Sequence, residues 1–101
     1  MRFNPDSFSN HYTIGLACFQ KGLFKEAITA FSRAVELDGK VITNARLNLA
    51  AALASTGAYE KAEVLLKGIL QREPKNAHVL HILGRIAQRR GRVAEALAYL
   101  E

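Results

Sequence analysis

The sequence predicts an all-α chain built as a solenoid of antiparallel helix pairs. Three observations carry that expectation. A helix opening is written three times: GLFKEAITAF from Gly22, GAYEKAEVLL from Gly57 and GRVAEALAYL from Gly91. The intervals are 35 and 34 residues, and self-similarity at such a period marks solenoids and arrays. Prolines occur only at Pro5 and Pro74, so long stretches are free of the residue that breaks helices.

Each element follows from local signals. A glycine that closes one apolar-periodic stretch and opens another reads as helix, tight turn, helix, because glycine accepts a turn conformation that other residues resist. The first helices of the three pairs are therefore predicted over 8–21, 43–56 and 77–90. The second helices are predicted over 24–37, 59–72 and from 93 onward. Pro74, in QREPKN, stops a helix and starts a turn. Gly39, in ELDGK, stands at the matching place one unit earlier, with one extra residue before the next helix. Asn44 and Asn76 are the N-cap candidates.

Helical spacing also nominates the core. In the first unit it selects Ile14, Cys18, Ala27, Phe31 and Ala34. In the second it selects Leu49, Leu53, Ala62, Leu66 and Ile69, and in the third Leu83, Ala87, Ala96 and Leu100. Small residues recur at two places: Gly15, Ala50 and Gly84 at one, Ala27, Ala62 and Ala96 at the other. A small side chain lets two helix axes approach, so these are the expected crossing points. Glycine within a helix costs about 1 kcal/mol relative to alanine, so Gly15 and Gly84 imply a packing reason.

Composition excludes several classes. Half the residues are apolar and mean hydropathy is zero, an ordinary globular balance. Cys18 is the sole cysteine, so no internal disulfide forms and no oxidising compartment is demanded. No apolar run approaches the roughly 20 residues of a membrane span. The opening MRFNPDSFSN lacks the apolar core of a signal peptide, and the expected compartment is the cytoplasm. The formal charge of +5 is spread over both halves. The exception is Arg85, Arg89, Arg90 and Arg92, with no acid among them. Such a charge biases encounters toward acidic partners.

The pattern resembles the tetratricopeptide repeat. That family's unit of about 34 residues carries one small residue on each helix, then a large apolar residue, and often a closing proline. Gly15, Ala27 and Phe31 fit in the first unit. Ala50, Ala62, Leu66 and Pro74 fit in the second, and Gly84, Ala96 and Leu100 in the third. The family's tryptophan is absent; His11, Arg46 and Leu80 stand there. The resemblance implies a right-handed superhelix with a lead-in over 1–7 and repeats over 8–41, 43–76 and 77–101, the third incomplete. It further implies a fragment of a longer repeat protein, self-associating through its C-terminal unit, where Leu97 and Leu100 lack an outer neighbour.

The family's first helices line the concave side. Carried over, the groove presents Ser9, Tyr12, Thr13, Leu16 and Phe19 from the first unit. The second unit adds Asn44, Leu47, Asn48, Ala51 and Ser55; the third adds His78, His81, Ile82, Arg85 and Arg89. An apolar floor with a basic wall suits a peptide or partner helix with apolar anchors and acidic residues. Tyr12, Leu16 and Leu47 admit a second reading as packing between repeats. One branch of the family clamps chaperone C-termini with lysine, asparagine and arginine. Tyr12, Leu16, Asn48, His78 and Ile82 stand at those places, and only Asn48 matches. A carboxylate needs charge-assisted donors, so that clamp is not implied.

Other chemistries fare less well. His78 and His81 lie on one helix face, and His11 is a further groove candidate, but a metal needs three or four ligands with supporting partners. No metal or other cofactor is expected. Cys18 reads as a buried structural thiol, since a nucleophile needs a base and an electropositive pocket. No paired carboxylates, phosphate loop or triad spacing appears, so no enzyme is expected. The main expectation is a protein-binding adaptor. The alternatives are a self-assembling repeat scaffold and RNA binding through the basic C-terminal face. The arginine cluster lacks the adjacent aromatics that stack bases.

Overall fold

The computed structural model describes residues 7–38 and 43–100. Within them six helices follow one another: α1 Phe8–Gln20, α2 Phe24–Asp38, α3 Thr43–Ser55, α4 Tyr59–Arg72, α5 Ala77–Arg89 and α6 Val93–Leu100. Their bounds agree with the sequence expectation to within one residue. The expected turn at Gly39 lies outside the described residues.

The three glycine turns are one structure used three times. Gly22, Gly57 and Gly91 have φ of 78°, 84° and 74°, the left-handed region that other residues resist. After each glycine, a backbone N–H reaches back over the turn. Leu23 donates to the Cys18 carbonyl at 2.9 Å, Ala58 to Leu53 at 2.9 Å and Arg92 to Ala87 at 2.8 Å. The glycine N–H groups themselves donate to Phe19, Ala54 and Gln88. This is the Schellman arrangement, which satisfies carbonyls that a helix end leaves orphaned. The repeat in the sequence is thus a repeat in hydrogen bonding.

The helix starts are less uniform. Ser7 caps α1 by accepting from the Asn10 N–H, and Asn76 caps α5 by accepting from the Val79 N–H, both at 3.2 Å. Asn44 lies inside the first turn of α3 rather than at its cap. Thr43 at the helix start instead donates its hydroxyl to Glu73 at 2.6 Å, tying α3 to the end of α4. Pro74 sits in the turn after α4, as expected.

Each helix packs on the next, and α1 touches α3 while α3 touches α5. Among the described residues no such contact joins α2 to α4 or α4 to α6. The first helices therefore form a closed inner row and the second helices a splayed outer row, so the array curves toward α1, α3 and α5. It measures 51 × 28 × 17 Å with a radius of gyration of 14.1 Å, above the ~13 Å of a compact domain this long.

The core runs the length of the array. Ala27, Phe31, Ala34, Leu49, Leu53, Ala62, Leu66, Ile69, Leu83, Ala87 and Ala96 are all buried. Two expectations fail in the first unit. Ile14 is largely exposed, because α1 has no preceding helix pair beside it among the described residues. Cys18 is half-buried against the core rather than enclosed. The side chain of Leu100 lies outside the described residues. Gly15, Ala50 and Gly84 are buried, and at Gly15 the reason is visible: a Cβ there would lie 2.5 Å from two carbons of the Phe31 ring.

Ala62 is fully buried at the crossing of its helix pair, whereas Ala58 is half-buried at the turn. Ala62→Leu is expected to destabilise the chain by about 1–3 kcal/mol through overpacking, and Ala58→Leu by much less. Urea midpoints of the two variants check this; equal shifts would contradict the repeat register.

Candidate docking cleft

The inner row of helices places α1, α3 and α5 side by side, and a cleft of about 130 Å³ opens between their C-terminal parts. Phe19 contributes from α1. Ala51, Ala54 and Ser55 contribute from α3, and Ile82, Arg85, Ile86 and Arg89 from α5. These α5 residues recur at helical spacing, so one face of the helix supplies both floor and rim. The Phe19 ring is held edge-on to Phe24, with centroids 5.3 Å apart. The small side chains of Ala51 and Ala54 leave the space open. Its size approaches the roughly 150 Å³ that accommodates benzene in an apolar cavity, about the space of one apolar side chain.

The structure splits the arginine cluster in two. Arg90 donates to Glu63 on α4 at 2.7 Å, and Arg92 lies 3.9 Å from the same carboxylate and 3.7 Å from Glu95. Lys67 approaches Glu63 from its own helix at 3.8 Å. Glu63 is only 15% exposed and fastens the second helix pair to the third. Arg85 and Arg89 are different. Both are exposed on the cleft rim and have no acidic partner among the described residues. Two adjacent, uncompensated guanidinium groups repel each other and favour an anion. Glu63→Gln is expected to cost about 1–2 kcal/mol by weakening a charge-assisted hydrogen bond. Thermal melts at low and high salt check it, since the difference shrinks as salt rises.

The expected groove residues do not all meet in one place. Phe19, Ala51, Ile82, Arg85 and Arg89 meet in the cleft, together with Ser55, whose hydroxyl donates to the Ala51 carbonyl at 2.9 Å. Tyr12 and Asn48 meet each other: the Asn48 amide donates to the Tyr12 hydroxyl at 3.0 Å, while the Tyr12 ring stacks on Phe8 and meets Phe31 edge-on. Leu16, His78 and His81 are exposed outside the cleft. Leu47, at 9% exposure, belongs to the core cluster, so its side chain packs between helices. His11 lies beside Ile14, Glu26, Thr29, Ala30 and Arg33, away from this cleft. Ala54 and Ile86 were not among the expected residues. Their spacing of three from Ala51 and four from Ile82 was the available signal.

Comparisons with known proteins agree with the helical-repeat fold. The sequence matches the family profile described as tetratricopeptide repeat over residues 19–86 and again over 53–101. Among solved structures, the crystal structure of MamA superposes with a TM-score of 0.83 at 25% identity, covering 96% of this chain and 56% of that one. This chain thus spans little more than half the length of the structure it matches. No curated protein matches it.

Proposed function

This chain belongs to the tetratricopeptide repeat family of protein-interaction scaffolds, and we propose that its concave cleft docks a peptide or helix of a partner protein bearing apolar and acidic residues. One repeat is read in each helix pair, over residues 8–41, 43–76 and 77–101, after a lead-in of residues 1–7. The observation that carries the reading is the pairing of an apolar pocket with two arginines, Arg85 and Arg89, that have no acidic partner among the described residues. An apolar side chain of the partner enters between Phe19 and Ile82. An acidic group about one turn away meets the guanidinium groups, whose forked donors suit a carboxylate. Tyr12, Leu16, Asn48, His78 and His81 extend the inner face beyond the cleft, while Leu47 supports it from beneath. No reaction is assigned: the cleft carries no nucleophile with a general base beside it.

The test is affinity capture from the native cell with the wild-type chain and with Arg85→Glu/Arg89→Glu. Both arginines are exposed, so the variant is expected to keep its helix content and lose its specific partner. A protein partner retained at equal strength would overturn the reading. RNA binding predicts a different outcome: capture of nucleic acid with a steep loss as salt rises, since each neutralised phosphate releases counterions.

A further inference from the structure

The docking cleft lies where the middle unit carries small residues and its neighbours do not. In the register that aligns Gly15, Ala50 and Gly84, the next position holds Leu16, Ala51 and Arg85. The position after Cys18, Leu53 and Ala87 holds Phe19, Ala54 and Gln88. At both places α3 therefore has alanine, between a helix with large apolar side chains and a helix with long polar ones. Ala51 and Ala54 line the cleft from α3, with Phe19 facing them from α1 and Ile82, Arg85 and Arg89 from α5. Close approach of helix axes does not explain these two alanines. Ala50 serves that purpose on α3 and is fully buried, whereas Ala51 and Ala54 are half-buried at the cleft. The opening of about 130 Å³ is the space that side chains like Leu16 and Phe19 would take if α3 carried them.

We infer that Ala51 and Ala54 set the specificity of the cleft: it admits one leucine-sized aliphatic side chain of a partner helix and rejects aromatic ones. The inference rests on the docking reading of the same cleft and adds its selectivity. Size comes first. The space falls below the roughly 150 Å³ cavity that takes a benzene ring. Its Phe19 wall is braced by the edge-on contact with Phe24 at 5.3 Å, and packed side chains give way little. A leucine fills such a space, whereas a phenylalanine leaves ring surface in water or displaces Phe19. Charge comes second. Arg85 and Arg89 stand on the α5 side with no acidic partner among the described residues, so the acidic residue of the partner lies on that side of the anchor. Residues one turn apart share a helix face, and a leucine one turn from a glutamate meets both demands.

Three helical peptides test it, each with a glutamate one turn from an anchor that is leucine, phenylalanine or alanine. They are titrated into the wild type, Ala51→Leu, Ala54→Phe and Ile82→Ala. The wild type is expected to bind the leucine peptide about tenfold or more tighter than the other two, since a misfit of this size in an apolar pocket is worth that much. Ala51→Leu and Ala54→Phe place on α3 the residues that α1 carries at the same positions, so the fold accepts them. Both are expected to keep their helix content and to bind the leucine peptide no better than the alanine one. Ile82→Ala widens the space and is expected to shift preference toward phenylalanine, a change that loss of stability alone does not produce. Equal binding of the three peptides to the wild type, or tighter binding of phenylalanine, overturns the inference and leaves the docking reading standing. So does undiminished binding of the leucine peptide by the two filled variants. A wild type that binds none of the peptides overturns both. If a filled variant loses helix content, Ala51→Val and Ala54→Val replace the pair, with the same outcomes required.

Discussion

Replacing Phe31 with alanine is expected to remove about 3–5 kcal/mol of stability, a large part of the ~5–15 kcal/mol available to a domain of this size. Phe31 is fully buried and is among the largest enclosed side chains of the array. Its ring lies against the backbone of α1 at Gly15 and meets Tyr12 edge-on at 6.0 Å. Truncation leaves a cavity between α1 and α2, and rigid helices refill such a space poorly. Gly15→Ala approaches the same contact from the other side. Alanine improves helix propensity by about 1 kcal/mol, but its Cβ would sit 2.5 Å from the Phe31 ring carbons. Overpacking costs of about 1–3 kcal/mol outweigh the gain, so Gly15→Ala is expected to destabilise. Because the two residues share one contact, their effects should not add. Phe31→Leu should cost less in the Gly15→Ala background than in the wild type. Urea denaturation of the four proteins checks this, and additive effects would contradict the account of Gly15.

Reversing Arg85 and Arg89 to glutamate is expected to weaken an acidic partner by roughly ten- to a hundredfold, or about 1.5–3 kcal/mol. Two terms contribute. Charge-assisted hydrogen bonds are lost, each discounted because the arginines are exposed before binding. Repulsion between the new glutamates and the partner's acids adds to that loss. Arg90→Glu offers a contrast on the same helix end. Arg90 is held by Glu63 at 2.7 Å, so its reversal sets two acids together and should lower the melting temperature. Titration and melting measured on the same samples separate the two effects: Arg85 and Arg89 should act on binding, Arg90 on stability.

The helices were legible in the sequence because their signals are local. The Gly22, Gly57 and Gly91 turns and the Pro74 stop depend on a few neighbouring residues. Core positions such as Leu66 and Ile69 followed from helical spacing. The misread positions depend on neighbours far along the chain. Ile14 has the spacing of a core residue, but among the described residues no helix pair precedes α1 to cover it. Leu47 was open to two readings, because groove and core positions adjoin on an inner helix and only packing decides between them. The arginine cluster read as a single charged patch. Its division into Arg90 and Arg92, tied to Glu63, and Arg85 and Arg89, left on the cleft rim, depends on contacts between α4 and α5 that spacing does not encode. Ala54 and Ile86 line the cleft through the same inter-helix geometry.

The central claim is that Arg85 and Arg89 act at a particular cleft rather than through the general positive charge. It is tested by titrating one helical peptide, with leucine and glutamate one turn apart, into three proteins: the wild type, Arg85→Glu/Arg89→Glu, and Lys61→Glu/Arg72→Glu. Lys61 and Arg72 are exposed on the outer helix α4, so both double variants lower the formal charge of +5 by the same amount. Binding to the wild type, near-equal binding to the Lys61/Arg72 variant and a loss of about tenfold or more in the Arg85/Arg89 variant is the predicted result. Equal weakening of the two variants would contradict a local site and reduce the effect to net charge.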